Sequence, residues 1–451
     1  MLVERGGRDA EDRHSVRTWG GLVALIGLLL QRRSAGEVFS GTVKTALGMI
    51  MLSSGSSLVV TYITPFSELF TTIFGLSGFA TSSESVSAAM QTAIPMVGSA
   101  SALILGIGFL VNVLLARPSP LKYVFLTGHM LWILSVVVAF VLYTMGLDET
   151  MIVVVGSIIQ GLVTTTLPAI SQPYVRKVTG GSDMFAVGHL TTLGTVAAST
   201  VGGLLGDKSK SAEDIKLPES LEFFKDTSMS VSIVIDVFYL VLVIAAGPDA
   251  VAAYSGGSNY ILFGLTQALG FTVGILVLLQ GVRLFLGEIV PAFKGISDKL
   301  VPGAIPALDV PALFGFAPNS LMLGFVGAAV GMLLAMVASA AAFKTVPLIS
   351  IIGAFFTGGV AGIFGNVTGG RRGAVISGFL YGFFLIFFAG FVSTLYDFAA
   401  YGAEGVGHDC IDVMAFLTVM KQPILGIVVV VALFVVMCLV QVRRNKKAAE
   451  Q

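Results

Sequence analysis

The chain has 451 residues, of which 55% are hydrophobic and 12% charged, with 26 basic against 26 acidic side chains. Soluble domains carry about 25% charged residues, so a chain this poor in charge reads as an all-α polytopic membrane protein. The balanced charge leaves no basic surplus for nucleic acid, and the two cysteines, Cys410 and Cys438, lack the spacing of a metal site, redox pair or disulfide framework.

Residues 1–19 set Arg5, Arg8, Arg13 and Arg17 among Glu4, Asp9, Glu11 and Asp12. That mixture is too polar for a cleaved signal peptide and reads as a mobile polar leader, or as an upstream reading of the start codon. A first membrane half is expected over 20–205. Within it, 94–116, 121–145 and 151–170 are apolar runs long enough to cross the hydrocarbon, whereas 20–30, 43–61 and 187–205 are shorter or interrupted by Ser and Gly. The polar segment 206–228, GDKSKSAEDIKLPESLEFFKDTS, is the loop between the halves. A second half over 229–400 follows, with runs at 229–253, 260–284, 320–342, 346–364 and 375–395. Residues 401–442 are a loop and the last span, 424–442, and 443–451 form a basic tail. The expectation is about 11 transmembrane helices plus re-entrant hairpins. Arg443, Arg444, Lys446 and Lys447 mark the tail as cytoplasmic, and Arg371-Arg372 and Arg32-Arg33 fall on the same side.

Two stretches of the halves are alike. Thr64-Pro-Phe-Ser-Glu-Leu-Phe leads to Gly75-Leu-Ser-Gly-Phe-Ala-Thr-Ser-Ser-Glu84, and Glu288-Ile-Val-Pro-Ala-Phe-Lys leads to Leu300-Val-Pro-Gly-Ala-Ile-Pro-Ala-Leu-Asp309. One offset, 225 residues (84 to 309), carries Gly78 onto Gly303 and Glu84 onto Asp309. A carboxylate at membrane depth costs roughly 2.5 to 3.5 kcal/mol on insertion scales and usually lines a site or pathway. Repeat-built transporters place that site where broken helices of the two halves meet. Glu84 also fits a helix cap, since Thr81-Ser-Ser-Glu-Ser85 precedes Val86, whereas Pro306 and Pro311 flank Asp309 and break the helix there.

His129 in Leu126-Thr-Gly-His and His189 in Phe185-Ala-Val-Gly-His each follow a glycine. A neutral imidazole both donates and accepts, which suits a polyhydroxylated ligand, although each ring could equally bond a neighbouring helix. His14 and His408 read as surface residues. The run Leu52-Ser-Ser-Gly-Ser-Ser57 interrupts an apolar stretch with hydroxyls and serves either a ligand or a neighbouring helix. No Walker lysine, HExxH, Gly-x-Ser-x-Gly or metal-ligand cluster occurs, and His408-Asp409-Cys410 is too compact for a tetrahedral zinc site. No catalytic residue, metal or cofactor is expected.

Several longer motifs carry a resemblance: Thr127-Gly-His129, Phe185-Ala-Val-Gly-His189, the segment 206–226, Gln280-Gly-Val-Arg283, and Val301-Pro-Gly-Ala-Ile-Pro-Ala-Leu-Asp309 through Phe316-Ala-Pro-Asn319. Over about 20–442 the chain resembles the ascorbate-type enzyme IIC, the membrane permease component of the bacterial phosphoenolpyruvate-dependent sugar phosphotransferase system. The resemblance implies a homodimer in the inner membrane lipid, each protomer with 11 spans, an interface domain, and a core domain that moves in elevator fashion. It also implies partner proteins, an enzyme IIB that phosphorylates the sugar and an enzyme IIA that recharges it. The family's substrate contacts fall on Ser53, Ser83, Glu84, His129, His189 and Asp309. Where better-known ascorbate carriers look glutamine-rich, this chain has Ser53, Ile133 and Leu190, which puts the ligand between L-ascorbate and a close sugar-acid analogue. The other readings are a proton-coupled secondary transporter of a small polar or anionic metabolite, using the same acids, and a membrane sensor or scaffold without transport.

Overall fold

The computed structural model describes residues 24–73, 79, 82–215, 227–299, 301–343, 346–401, 403 and 405–449. The leader, His14, Gly78 and 216–226 of the polar loop lie outside them. Helix α1 covers 24–30. Helices α2 (Ala35–Ile73) and α9 (Tyr260–Lys299) are the longest regular elements, at 39 and 40 residues. They pack antiparallel: Gly48 lies against the Phe285 backbone, Gly55 against Gly274 and Leu278, and Gly270 against Tyr62. Lys44 Nζ reaches Glu288 Oε1 at 3.1 Å along the same seam. Small residues let the two backbones approach, which replaces the hydrophobic drive that lipid does not supply. The serine run 53–57 does not interrupt α2, contrary to the sequence reading. Hydroxyls in a helix find acceptors one turn back, as Thr61 Oγ1 does at Ser57 O (2.8 Å), so such a run needs no break.

Helices α3 (Ser83–Ala93), α4 (Pro95–Ala116), α5 (Gly128–Thr144), α6 (Glu149–Val178) and α7 (Thr192–Leu205) complete the part before the polar loop. The expected span 121–145 is not one helix. Its start is strand β1 (Tyr123–Phe125), and α5 begins only at Gly128. Strand β2 (Ala186–Val187) precedes α7, and β3 (Ile305–Leu308) follows α9. The order is β1-β3-β2, all parallel, with Tyr123 opposite Ile305 and Ala186 opposite Ala307. Periodicity alone could not reveal strands of two to four residues inside helical runs.

Both outer edges of this small sheet are sealed by side-chain amides. Asn112 of α4 donates to Tyr123 O (3.1 Å) and accepts from Phe125 N (2.9 Å), imitating a fourth strand. Gln172 of α6 donates to Phe185 O (3.3 Å) beside β2. Unpaired strand edges are costly where water is scarce, and both amides are fully or almost fully buried.

Helix α8 (Thr227–Ser255) bends at Gly247, whose φ of 75° precedes Pro248. After β3, a 3-10 turn (Val310–Phe316) leads into α10 (Pro318–Phe343). The short α11 (Ile351–Gly353) and a π turn (Ala354–Gly358) then run into α12 (Gly359–Val392). Helix α12 is a hairpin, with the reversal at Gly369 and Gly370 (φ 62°), and Gly365 on one limb backs onto Gly373 and Ser377 on the other. The two expected runs 346–364 and 375–395 are thus separate passes with Arg371-Arg372 at the tip. Helix α13 (Ile411–Met420) and α14 (Pro423–Ala449) end the chain. Among the described residues, seven helices are long and apolar enough to cross a membrane, the folded Ala354–Val392 segment counting as one.

The sequence reading of His408 as a surface residue, in a loop before the last span, is corrected. His408, Cys410 and Asp412 are buried, and α13 packs inside the protein. Only a few polar residues separate the apolar ones there, so composition signalled a loop where tertiary hydrogen bonds hold a folded-in strap.

One end of the molecule gathers the cations. Tyr174 near the end of α6 bonds Thr200 near the end of α7 (3.1 Å) and lies 5.2 Å, ring to ring, from Phe364 near the α12 tip. This end therefore carries Arg176, Lys177, Lys210, Arg371 and Arg372, with Arg444 near enough to Tyr123 to act on it electrostatically. The positive-inside rule expects such an end on the cytoplasmic side. In the loop after α6, Arg176 forks onto Asp183 (2.5 and 2.6 Å). Burial raises the Asp183 carboxyl, but the bonds from Arg176 and Gln172 outweigh it and hold it below its usual range.

Helix α10 crosses both limbs of the hairpin at Gly324, where an added Cβ would lie 2.6 Å from Gly362 Cα and 2.7 Å from Gly358 O. Gly324→Val should therefore destabilise the protein by about 1 to 3 kcal/mol through overpacking. Gly287→Val, at a site with nothing within 4 Å, is the control. Thermal melts in detergent would show it, and equal melting temperatures for the two variants would refute the close approach.

Candidate functional site

The three parallel strands begin near the cationic end, at Lys122, Asp183 and Gly303, and their far ends carry the residues singled out above. Past β1 come Thr127, Gly128 and His129; past β2, Gly188 and His189; past β3, Asp309. Gly188 lies against β3: a Cβ there would sit 2.8 Å from Ala307 O, and its N–H donates to Leu308 O at 2.7 Å. The glycine before His189 thus serves the close approach of two strands rather than of a ligand.

His129 Nε2 lies 3.7 Å from Asp309 Oδ2, and His189 Nε2 lies 3.8 Å from Asp309 Oδ1. The rings are 6.3 Å apart, centroid to centroid. His189 is almost wholly enclosed, while side-chain exposures of 37% for His129 and 23% for Asp309 leave that side open to a ligand. Asp309 is held from behind, since Oδ1 accepts from Val310 N (2.7 Å) and the residue caps the 3-10 turn. In the 3-10 turn that Asp309 caps, Phe314 is fully buried, whereas Phe316 is exposed.

One atom from each of these three residues falls within 4.8 Å of the others, a two-histidine, one-carboxylate donor set. The sequence conceals it, because the residues lie about 60 and 120 positions apart. A metal-bound histidine normally has its second nitrogen oriented by a carboxylate or carbonyl. Buried His189 Nδ1 has no such partner among the described residues, so the trio lacks that support for a metal.

Glu84 belongs to a second group. Ser82 caps α3 by accepting from Ser85 N (3.1 Å), so Glu84 is the second residue of a helix and not its cap. Its carboxyl neighbours that of Asp409, which accepts from Ser83 N (3.1 Å) and from Ser83 Oγ. Glu84 and Asp309 therefore occupy dissimilar local structures despite their common offset. Ser53 lies within α2, and its side chain is outside the described ones. Ile133 is buried on α5 beside a narrow apolar cavity also lined by Ser83, Met90 and Phe140. Leu190 is buried directly after His189.

The strap 405–412 joins the groups. Cys410 Sγ lies 3.9 Å from the sulfur of Met130, which follows His129. Asp412 N donates to Leu190 O (3.1 Å), and the Asp412 carboxylate accepts from Leu193 N (3.0 Å) and Gly194 N (3.4 Å). Asp409 and Asp412 were missed in the sequence, where Asp409 drew notice only as part of an unsuitable zinc motif. No local signal marks them, because both act on backbone more than 200 residues away.

Apolar membrane-length helices around an enclosed polar cluster built on broken backbone define a multi-pass membrane protein of the transporter type. Residues 20–410 match the family of PTS system sugar-specific permease components, and the chain belongs to that family. It is also similar to the ascorbate-specific PTS system EIIC component of Mycoplasma pneumoniae (strain ATCC 29342 / M129 / Subtype 1), with 29% identity over 439 residues. That similarity covers 84% of this chain and 66% of the relative, so the chain spans just under two thirds of the relative's length.

Asparagine caps helices as well as aspartate does, so Asp309→Asn should melt within a few degrees of wild type. Gly188→Val, which drives a side chain into Ala307, should cost about 1 to 3 kcal/mol and lower the melting temperature clearly. A larger loss for Asp309→Asn than for Gly188→Val would show that Asp309 is a structural residue.

Proposed function

We propose that this protein is the enzyme IIC permease of a phosphotransferase system and carries L-ascorbate or a close sugar-acid analogue inward, for phosphorylation by a separate enzyme IIB recharged by enzyme IIA. The observation that carries this reading is the convergence of His129, His189 and Asp309 at the ends of three parallel strands. Asp309 accepts from ligand hydroxyls, the two imidazoles donate or accept, and Ser83 and Glu84 complete the shell from α3, with Ser53 contributing from α2. The absence of a nucleophile motif in the sequence agrees with phosphoryl transfer on a partner. The similarity to a relative named for ascorbate supports the substrate class, and the apolar Ile133 and Leu190 favour an analogue with fewer amide contacts.

The same reading takes 20–205 and 229–400 as repeated halves, with 11 spans, a moving core, an interface domain and a homodimeric assembly. It is supported by α2 and α9, whose starts differ by 225 residues (35 to 260) and whose antiparallel packing suits oppositely oriented repeats. The cationic end, with Arg371, Arg372 and the α14 tail, faces the cytoplasm, where an enzyme IIB would dock.

A second reading, proton-coupled uptake, draws on the neighbouring carboxyls of Glu84 and Asp409, acids of the kind that serve proton relays in transporters. Inverted vesicles and proteoliposomes separate the two. Phosphorylated product should accumulate only when enzyme IIB and the phosphoryl chain are supplied. Concentrative uptake of unmodified ascorbate on a proton gradient alone would overturn the phosphotransferase reading. Asp309→Asn should weaken binding about ten- to a hundredfold, the loss of one charge-assisted hydrogen bond worth about 1.5 to 3 kcal/mol. Calorimetry on purified protein measures it, and unchanged affinity would remove Asp309 from the site.

A further inference from the structure

Two acids on the buried strap each hold the start of a helix that adjoins the site. Helix α7 has Thr191 at its N-cap position with no side-chain cap bond, so its first N–H groups need acceptors from elsewhere. The Asp412 carboxylate supplies them, accepting from Leu193 N at 3.0 and 3.1 Å and from Gly194 N at 3.4 Å. The main chain of the same residue donates to Leu190 O, next to His189, and Thr192 Oγ1 donates to His189 O (3.0 Å). At α3 the division is different. Ser82 takes Ser85 N, and Asp409 takes Ser83 N and Ser83 Oγ. The strap fits tightly at both places, since a Cβ on Gly407 would meet the Ser83 backbone at 2.4 Å and one on Gly194 would meet Ile411 at 2.3 Å. Cys410, between the two acids, touches Met130 behind His129.

We propose that Asp409 and Asp412 are positioning residues of the substrate site: Asp409 fixes the helix presenting Ser83 and Glu84, and Asp412 fixes the turn presenting His189. A carboxylate is suited to this, because anions are stabilised at helix N-termini and one carboxylate serves several N–H donors. Three positions of separation on one strap tie the two helix starts together, so Glu84 and His189 keep a fixed spacing. The role rests on the sugar-acid reading of the site, but its structural part is testable without any ligand.

The test uses the purified full-length protein with Asp412→Ala, Asp412→Asn, Asp409→Ala and Asp409→Asn. Hydrogen–deuterium exchange reads the backbone, and calorimetry with L-ascorbate reads the site. Asp412→Ala should raise exchange over 188–196 and Asp409→Ala over 82–88, with the rest of the protein unchanged. Each alanine should weaken ascorbate binding about tenfold, while each asparagine, which keeps the Oδ1 acceptor, should stay within about threefold of wild type. Weaker binding with unchanged exchange would mean that the acids touch ligand directly and would overturn the proposal. Increased exchange throughout the core, or asparagine variants as poor as alanine, would overturn it as well. If wild type binds no ascorbate, the substrate reading fails, and the exchange pattern still decides whether the strap fixes the two segments.

Discussion

Three short parallel strands set inside a helical membrane protein are the constraint on which the site depends. Apolar surroundings offer no water to backbone N–H and C=O groups, so non-helical chain at depth survives only if it is paired within the protein. β3 takes the centre, with Ile305 N bonded to Lys122 O and Gly188 N bonded to Leu308 O, both at 2.7 Å. Asn112 and Gln172 then close the two edges from α4 and α6. Because the strands are parallel and in register, their three continuations emerge side by side. His129, His189 and Asp309 meet for that reason, although each lies on a different stretch of chain.

The helices around this sheet are fitted backbone to backbone. The α2–α9 seam and the crossing of α10 over the α12 hairpin both rely on glycine where a Cβ would overlap main-chain atoms. Packing of that kind leaves little freedom to slide within each pair, so any large movement in transport must carry such pairs as units. The polar loop shows the same economy. Glu213 accepts from Asn319 N and Ser320 N at the start of α10, and Asn366 accepts from Ala212 N, which pins 211–213 against helices on both sides.

Sequence periodicity was enough to find the long apolar helices, because 20 or more apolar residues have few other uses. The breaks at Gly369-Gly370 and before Asp309 were legible for a related reason, since Arg371-Arg372 and two prolines cannot continue a buried helix. What escaped was decided by distant partners. β1 looked like the start of a helix because Tyr123, Val124 and Phe125 are apolar and suit either structure, and only pairing with β3 selects the strand. His408 looked exposed among polar neighbours, yet it is buried edge-on to Phe79, 5.9 Å between rings. The equivalence of Glu84 and Asp309 held as a sequence offset and failed as local geometry, because Ser82 already caps α3 and leaves Glu84 free to face Asp409.

That difference between the two acids bears on how an anion is tolerated. At Asp309 both oxygens face imidazole nitrogens at 3.7 and 3.8 Å, beyond a direct hydrogen bond, which leaves room for a hydroxyl to bridge. At Glu84 the neighbour is another carboxyl, that of Asp409, which accepts from Ser83 N and Ser83 Oγ. Asp412 is offset by the N–H groups that open α7. Asp309 and Asp412 thus have their own neighbours, imidazoles in one case and a helix start in the other.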